Sequence, residues 1–448
     1  MPNDSRHDSR LLSWIESPST ERGITSVAGR SRHKRRYEDM ARDVLALASL
    51  LRAQAPPGSR VGLVLGDPYS FAIALFSTWY LGCTAVPIAA PSAFQQRSSY
   101  QQYVRPLLEH AAASLTICER ETLPLLEHVN GGVFCYPDRL PRSHQLVSGA
   151  LPTIALLQYT SGSTGTPKAA VITTRSLIAQ TGMIRATLEL GDDDCVASWL
   201  PTHHDLGLVG AWITPIVFQI STMITSPREF VRSPNEWIEA MVNAGGTISG
   251  SPPIGYELLL RRLQRSERLD LSRWRVAICG SEPVDPYLLR SATRRLEDFG
   301  FKREAFLVGY GMAETTLAVS ATPLPERVKV AVLRLDGDEG EALESISSSA
   351  FDELEDPESS SRYVTSCGRP LPGVSIQIVD ETGVSVECGE LGEIVVTSPS
   401  VFSGYLDEQV VEKTLRTGDV GFLMDDELYV GLRQGVRTTI FVSIQLSI

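Results

Sequence analysis

The sequence lacks the features of a secreted, zinc-binding or nucleic-acid-binding protein. Only seven of its 448 residues are cysteine, and none of them forms a Cys-x-x-Cys unit, which argues against a zinc site or a disulfide framework. The N-terminal stretch MPNDSRHDSRLLSWIE has no apolar run of the secretory type. Lys and Arg number 41 against 53 Asp and Glu, which disfavours nucleic acid as a partner. We therefore expect a cytoplasmic protein with free thiols.

Two long uncharged runs, residues 71–90 and 206–227, have to be weighed as membrane spans. Each has the roughly 20 residues that a spanning helix needs. Gly82 and Pro87 interrupt the first run, Pro215 interrupts the second, and both contain several polar residues. We therefore predict a buried helix followed by a buried strand in each run, and no transmembrane segment.

Short apolar runs rich in β-formers alternate with helical stretches along most of the chain. These predicted strands begin at Val61, Ile154, Ala169, Cys195, Arg275 and Ala305. Pro234 and Pro286 are expected to open helices that end at the glycines 245 and 300. From about Ser375 the pattern changes to strands joined by tight turns. The predicted fold class is α/β, with two helix-wrapped, mainly parallel sheets and a smaller antiparallel β subdomain.

Two segments stand out by charge. Between Asp336 and Glu358 there are ten acidic residues and no Lys or Arg, which favours a solvated, mobile insertion over a specific binding element. The stretch GRSRHKRRYEDM at Gly29 is basic. We predict a solvated turn before a helix there, and a weak electrostatic contact with an acidic partner stays open.

The stretch Tyr159–Lys168, YTSGSTGTPK, predicts a phosphate-binding loop between two strands. Glycines allow the tight turn, hydroxyl groups offer donors, and a lysine adds a cation. The residues in these roles are Gly162, Gly165, Thr160, Ser161, Ser163, Thr164 and Lys168. The common strand-to-helix nucleotide loop requires Gly before the Lys and Ser or Thr after it, whereas the neighbours here are Pro167 and Ala169.

This loop resembles the phosphate-binding loop of the adenylate-forming superfamily, which includes acyl-CoA synthetases, luciferases and peptide synthetase adenylation domains. GYGMAETT at Gly309 resembles the family's Tyr-Gly-x-x-Glu motif, and RTGDVGF at Arg416 resembles its Thr-Gly-Asp motif. The stretch SWLPTHHDLGLVG at Ser198, with GSEPV, SCGRPLPG and the alanine at position 313, is similar to the fatty acyl-AMP ligase branch. The resemblance extends from about Leu12 to about Val430.

The resemblance implies a domain plan. Residues 1–370 would form the large AMP-binding domain with two α/β subdomains, and the acidic insertion at about 329–363 would be a family feature. Residues 371–430 would form the β-rich subdomain. The family's Gly-Arg-x-x-Asp hinge has no clear match near Arg433, so we expect an aberrant tail over 431–448 and no C-terminal catalytic domain. Because that domain normally brings a lysine to the reacting groups, we expect slow turnover by this chain alone.

The resemblance also implies the site residues, with ATP and Mg²⁺ as cofactors. Lys168, His204, Glu314 and Thr315 would be catalytic, with Glu314 binding Mg²⁺ and Thr315 donating to the α-phosphate. Asp419 would accept from the ribose hydroxyls, and the adenine would lie against residues 280–283. The full set of implied ATP-binding residues is Thr160, Ser161, Gly162, Ser163, Thr164, Gly165, Lys168, Gly280, Ser281, Glu282, Pro283, Tyr310, Gly311, Met312 and Asp419.

An acyl chain requires an apolar channel, and two segments rich in apolar and small residues are candidates for its walls. The expected substrate-binding residues are His204, Gly207, Trp212, Ser249, Gly250 and Ile254. The family analogy places His204 at the acyl entrance. From the residues alone, a pair of hydrogen-bonding groups at a helix start explains His204 equally well.

The predicted function is activation of a fatty acid with ATP to an acyl-adenylate and pyrophosphate. The acyl group would pass to an acyl carrier protein or to a polyketide or peptide synthase. Two alternatives stay open: an acyl-CoA synthetase, and a non-catalytic remnant that binds nucleotide or lipid.

Overall fold

The computed structural model describes residues 11–29, 31–91, 96–141, 151–160, 167–263, 269–336, 342–354, 361–408 and 412–431. Within these ranges the α-helices are α1 (Ser13–Glu16), α2 (Tyr37–Leu51), α3 (Pro68–Tyr80), α4 (Arg97–His110), α5 (Thr174–Thr187), α6 (Thr214–Val217), α7 (Pro227–Arg232), α8 (Pro234–Asn243), α9 (Pro253–Arg262) and α10 (Pro286–Leu296). The strands are β1 (Gly23–Ala28), β2 (Ser31–Arg36), β3 (Arg60–Val64), β4 (Thr84–Pro87), β5 (Leu115–Cys118), β6 (Gly132–Cys135), β7 (Ile154–Thr160), β8 (Lys168–Thr173), β9 (Cys195–Ser198), β10 (Ser221–Ile224), β11 (Ile248–Ser251), β12 (Val276–Cys279), β13 (Phe306–Gly311), β14 (Ala318–Ala321), β15 (Lys329–Asp336), β16 (Ala342–Ala350), β17 (Ser361–Thr365), β18 (Arg369–Pro370), β19 (Ser375–Val379), β20 (Gly392–Thr397), β21 (Thr414–Met424) and β22 (Glu427–Val430).

Two large sheets form the frame of the molecule. One has six strands in the order β6-β5-β3-β4-β7-β8, and the other has nine in the order β18-β14-β13-β12-β11-β9-β10-β1-β2. Neighbouring strands run parallel through the middle of both sheets. Antiparallel pairs lie at both edges of the nine-stranded sheet and at the β8 edge of the six-stranded sheet, whereas β6 at its other edge is parallel. Parallel strands covered by helices on both faces must be apolar throughout, which is why their sequences appear as short continuous runs. The predicted helix-wrapped parallel sheets are confirmed.

The starts and ends of the helices follow local chemistry. The Asp67 carboxylate accepts from the backbone N–H of Ser70 at 2.8 Å, so α3 begins with a side-chain cap followed by proline. Asp285 caps α10 in the same way. Gly300 ends the single 3-10 turn that follows α10, at a φ of 85° that favours glycine.

Both long uncharged runs fold as predicted into a helix followed by a strand. Residues 71–90 contain most of α3 and all of β4, and residues 206–227 contain a π-helix at Leu206–Ile213, α6 and β10. Most of their apolar side chains are buried in one core. Among the described residues, no helix combines the length and apolar content needed to cross a bilayer.

The smaller antiparallel part consists of two sheets. Strands β19, β20, β21 and β22 form the sheet predicted from Ser375 onward. Strands β16, β15 and β17 form a second sheet. Of these, β16 lies within the acidic segment 336–358, for which a solvated, mobile insertion was predicted. The described end of β16 is solvated as predicted, with Ser347 and Ser348 exposed, whereas Phe351 directly after it is buried. The mobility of the segment stays a prediction.

The basic stretch before α2 is solvated and precedes a helix as predicted, but the predicted turn was wrong. Instead of a turn, Ser31–Arg36 forms the outermost strand of the nine-stranded sheet, paired antiparallel with β1. All six of its residues are exposed. Charged side chains are common on edge strands because they prevent further strand pairing.

Tyr37 illustrates how polar groups connect the buried elements. Its fully buried hydroxyl donates to the Ile220 carbonyl at 2.7 Å, so α2 is joined to the start of β10. We expect Tyr37→Phe to lower the free energy of unfolding by about 1 to 2 kcal/mol, because the Ile220 carbonyl loses a buried partner. Urea denaturation measures this change. Tyr103→Phe, at a ring that is 40% exposed, should have little effect, and equal losses in both variants would contradict the prediction.

Candidate active site

The predicted phosphate loop connects two antiparallel strands. Thr160, the last residue of β7, pairs with Lys168, the first residue of β8. The loop residues between them that were predicted to bind ATP, Ser161, Gly162, Ser163, Thr164 and Gly165, lie outside the described residues. The Lys168 ammonium lies 2.7 Å from a Glu408 carboxylate oxygen and 4.7 Å from the centre of the Tyr405 ring.

The predicted metal ligand Glu314 and Lys168 both contact Tyr405. Glu314 is in the short 3-10 turn Ala313–Thr315 and is half-buried. The Tyr405 hydroxyl donates to its carboxylate, and the Phe402 N–H donates to its carbonyl at 2.8 Å. Within the described residues no group of three or more His, Cys, Asp and Glu side chains is arranged for a metal. One hard carboxylate fits Mg²⁺, which takes few protein ligands and completes its shell with phosphate and water.

Thr315 lies in the same turn, but its hydroxyl faces into the protein. The side chain is fully buried, donates to the Met312 carbonyl at 2.9 Å and accepts from the Met312 N–H at 3.3 Å. These bonds close the turn that presents Glu314. The geometry therefore does not favour Thr315 as a donor to the α-phosphate, and it assigns the residue a structural contact instead.

The predicted adenine and ribose residues lie together at the carboxyl ends of neighbouring strands. Residues 280–283 follow β12, and Tyr310 is near the end of β13, which pairs parallel with β12. A Cβ atom on Gly280 would lie 3.1 Å from the Gly309 carbonyl oxygen, so glycine permits close approach of the two chains. The Tyr310 hydroxyl donates to the Asp419 carboxylate at 2.7 Å. Burial, reinforced by Asp419, raises the pKa of Tyr310, so the hydroxyl remains a donor at neutral pH.

His204 belongs to a compact group of titratable side chains before the π-helix. The rings of His203 and His204 lie 4.6 Å apart, and Asp205 accepts from the Leu206 N–H at 2.7 Å. Burial, and secondarily His204, lowers the pKa of His203 to about 3. Burial also lowers the pKa of His204 and raises that of Asp205. All three side chains therefore resist charging in the folded protein.

The depressed pKa of His203 predicts a pH dependence of stability. An imidazole that charges in the unfolded chain but stays neutral in the folded one costs stability as the pH falls through the unfolded pKa near 6.5. We expect His203 to lower the free energy of unfolding by about 1 kcal/mol when the pH falls from 7.5 to 5.5. The lowered pKa of His204 acts in the same direction and the raised pKa of Asp205 in the opposite one, so the comparison of the wild type with His203→Gln is needed to separate the His203 imidazole from both.

Urea denaturation at several pH values measures this effect. The free energy of unfolding of His203→Gln should fall less steeply toward pH 5.5 than that of the wild type. The exposed His33 on β2 provides a matched control, since His33→Gln should leave the slope unchanged. Parallel curves for the wild type and His203→Gln would contradict the prediction.

The predicted acyl-binding residues come from three adjacent elements. Gly207 and Trp212 lie in the π-helix, Ser249 and Gly250 in β11, and Ile254 in α9. Leu200 connects two of these elements, because Cβ atoms on Gly207 and Gly250 would lie 3.1 and 3.8 Å from its side chain. The Gly207 position would also bring a Cβ within 2.1 Å of the Pro201 carbonyl oxygen, so this glycine is required by packing.

Two residues that the sequence did not suggest contact the site. Tyr405 touches both Glu314 and Lys168. Gln158 is buried on β7, and its side-chain amide donates to the His203 carbonyl at 2.6 Å, which ties the loop-bearing strand to the histidine pair. A glutamine directly after the apolar run IALL and directly before the stretch Tyr159–Lys168 is a signal that the sequence did carry.

Comparison with known proteins identifies the family. Residues 19–406 match the family model described as AMP-binding enzyme, so the chain belongs to this family of adenylate-forming enzymes. The medium-chain-fatty-acid–[acyl-carrier-protein] ligase JamA of Moorena producens is 30% identical over 88% of this chain and 70% of its own length. A putative acyl-CoA synthetase of Caulobacter vibrioides is 29% identical over 94% of this chain and 75% of its own.

A solved structure agrees with these relatives. The fatty acyl-adenylate ligase from L. pneumophila, in complex with acyl adenylate and pyrophosphate, superposes with a TM-score of 0.84 at 27% identity. The superposition covers 95% of this chain and 77% of that one. The α/β architecture described above is therefore that of the large domain of an adenylate-forming enzyme.

Proposed function

We propose that this chain activates a fatty acid with ATP, forming acyl-AMP and pyrophosphate, and that the acyl group is passed to an acyl carrier protein. The observation that carries the proposal is the family match over residues 19–406. The similarity to ligases that act on fatty acids supports the substrate class. The proposal includes a carrier protein as acceptor, either separate or within a polyketide or peptide synthase. It also includes a cytoplasmic location, with which the seven free cysteines are consistent.

The chemistry explains the arrangement of charges around β7 and β8. A carboxylate oxygen of the fatty acid attacks the α-phosphorus of ATP, and the bond from that phosphorus to the oxygen of the leaving pyrophosphate breaks. Both reactants are anionic, so the protein has to supply positive charge and hydrogen-bond donors. In this proposal the Lys168 ammonium contacts the β- and γ-phosphates, and Glu314 holds Mg²⁺. The bound cation would offset charge on the phosphate oxygens.

The remaining groups orient the nucleotide. Asp419, held by the Tyr310 hydroxyl, is placed to accept from the ribose hydroxyls in this proposal. The backbone of residues 280–283 borders the adenine. A fatty acyl chain would lie along the apolar side chains between the π-helix, β11 and α9, with His204 near its carboxylate. Neutral imidazoles there avoid adding charge to an apolar entrance, and they retain a hydrogen-bond donor.

The proposal is tested by fatty-acid-dependent exchange of labelled pyrophosphate into ATP, with acids of graded chain length. We expect exchange with fatty acids and none with amino acids, together with acyl-AMP detectable by mass spectrometry. The acceptor is tested by adding coenzyme A or a phosphopantetheinylated carrier protein to the preformed adenylate. A thioester on the carrier is the expected product, and a product only on coenzyme A would favour the acyl-CoA synthetase. Tight ATP binding without exchange would overturn the enzymatic proposal.

A further inference from the structure

One short segment, residues 400–408, joins the two parts of the candidate ATP site. At its start, the Thr316 hydroxyl donates to the Ser400 carbonyl at 2.6 Å, and the Phe402 N–H donates to the Glu314 carbonyl at 2.8 Å. These bonds fix the segment to the turn that carries the predicted metal ligand. The segment is therefore bonded at two points to the turn that contains Glu314.

The later part of the same segment is bonded to the strand that carries Lys168. The Val171 N–H donates to the Gly404 carbonyl, and the Leu406 N–H donates to the Ala169 carbonyl, both at 3.0 Å. The backbone between them forms an antiparallel bridge from Tyr405 to Ala170. Residues 400–408 thus connect β8 to the Glu314 turn, although the two are far apart in the sequence.

Tyr405 lies at the centre of this connection. Its hydroxyl donates to one oxygen of the Glu314 carboxylate, and its ring lies beneath the Lys168 ammonium, 4.7 Å from the ring centre. The Phe402 ring packs edge-on against the Tyr405 ring at 5.0 Å between centres, which restricts rotation of the tyrosine. Both contacts of Tyr405 are thus made by a side chain that is itself held in place.

We propose that Tyr405 is a positioning residue for ATP activation, which orients the Glu314 carboxylate through its hydroxyl and the Lys168 ammonium through its ring. The proposal rests on the proposed function. A hydroxyl that holds one carboxylate oxygen leaves the other oxygen and the negative charge available to a cation. An ammonium held over a ring face uses no hydrogen-bond donor on the ring, so the donors that Glu408 does not take remain for other acceptors. Groups fixed before the substrate arrives lose less freedom when it binds.

Two substitutions of Tyr405 separate these functions. Tyr405→Phe removes the hydroxyl and retains the ring, whereas Tyr405→Leu removes both. ATP binding is measured by titration calorimetry on the full chain, once in EDTA and once in Mg²⁺. We expect Tyr405→Phe to reduce the gain in ATP affinity that Mg²⁺ confers by roughly tenfold, while the affinity in EDTA is unchanged. Tyr405→Leu should in addition weaken binding in EDTA by about threefold.

Controls exclude a general loss of structure. Tyr100→Phe removes another tyrosine hydroxyl, which donates to the Ala89 carbonyl at 2.8 Å outside the site, and it should leave both affinities unchanged. A purely structural function of Tyr405 would change ATP affinity in EDTA and in Mg²⁺ by the same factor. Equal changes in the two conditions for Tyr405→Phe would therefore overturn the proposal, as would no change in either.

A reference variant distinguishes failure of this inference from failure of the proposed function. Glu314→Gln should abolish most of the gain in ATP affinity from Mg²⁺. If that variant behaves as expected and Tyr405→Phe matches the wild type, only the positioning inference is wrong. If Glu314→Gln retains the full gain, the metal site of the proposed function is itself wrong.

Discussion

Lys168→Ala should lower the rate of fatty-acid-dependent ATP–pyrophosphate exchange by roughly 10²-fold or more. In the proposed function this ammonium is the one described cation at the phosphate loop, and the reaction joins two anions at the α-phosphorus. Its loss removes charge stabilisation that grows as pyrophosphate departs. The exchange rate of the variant, compared with that of the wild-type chain at saturating Mg²⁺, measures the effect.

The same substitution should leave the fold intact. The side chains of Lys168 and Glu408 are 41% and 50% exposed, and an ion pair this exposed contributes only about 0–1 kcal/mol to stability. The thermal midpoint of the variant should therefore stay close to that of the wild type. Lys302→Ala, at an exposed lysine elsewhere, is the matched control and should exchange at the wild-type rate. Exchange by Lys168→Ala at the wild-type rate would remove this lysine from the mechanism.

Glu408→Gln tests the ion pair separately from the lysine. The substitution breaks the pair and retains the ammonium, so it should not reproduce the loss seen with Lys168→Ala. We expect ATP binding to be unchanged or slightly tighter, because ATP phosphates no longer compete with the Glu408 carboxylate for Lys168. ATP titration of the two variants side by side compares these outcomes.

The parallel sheets were predictable because a buried parallel strand requires a short apolar run, which is visible in a few neighbouring residues. A strand covered by helices on both faces has to be apolar over its whole length, and Val61, Cys195 and Val276 each lie in such a run. The start of α10 was predictable for a similar reason, since Pro286 fixes the first turn next to a capping Asp285. Such signals depend on a few neighbouring residues.

The acidic segment shows where composition misleads. Ten acidic residues without a basic one between Asp336 and Glu358 predict solvation, but this composition does not indicate β16, which pairs with β15 over eight positions. Phe351, which directly follows β16, is buried, and an average over the acidic segment conceals this apolar residue. The basic strand β2 was missed because exposed edge strands have no apolar alternation.

The candidate site was predictable only in part, because its contacts cross long sequence separations. The motifs around Lys168, Glu314 and Asp419 each lie in one continuous stretch, so a resemblance could identify them. Tyr405 is 91 residues from Glu314, and no local sequence pattern predicts the contact between the two side chains. The buried position of Thr315 is likewise a property of the folded turn rather than of its sequence.

Glu314→Gln should reduce exchange by roughly 10²-fold or more and raise the Mg²⁺ concentration needed for half-maximal rate. The amide has nearly the shape of the carboxylate, and its oxygen accepts the Tyr405 hydrogen bond as the carboxylate does. The substitution therefore removes the negative charge that would hold the cation and little else. Exchange rates over a Mg²⁺ titration measure the change, and Mn²⁺ binding followed by electron paramagnetic resonance in the presence of ATP gives a readout independent of turnover.

The control for this substitution is Glu121→Gln, which neutralises an exposed carboxylate outside the site. Its Mg²⁺ dependence and Mn²⁺ binding should match those of the wild type, which shows that a change of one in net charge is not the cause. Glu314 is half-buried and held at a turn whose closing bonds involve Met312 and Thr315, so the fold of the variant should survive. If Glu314→Gln retains wild-type exchange and wild-type Mn²⁺ binding, the cation is held by other groups, and the charge at position 314 has no function in activation.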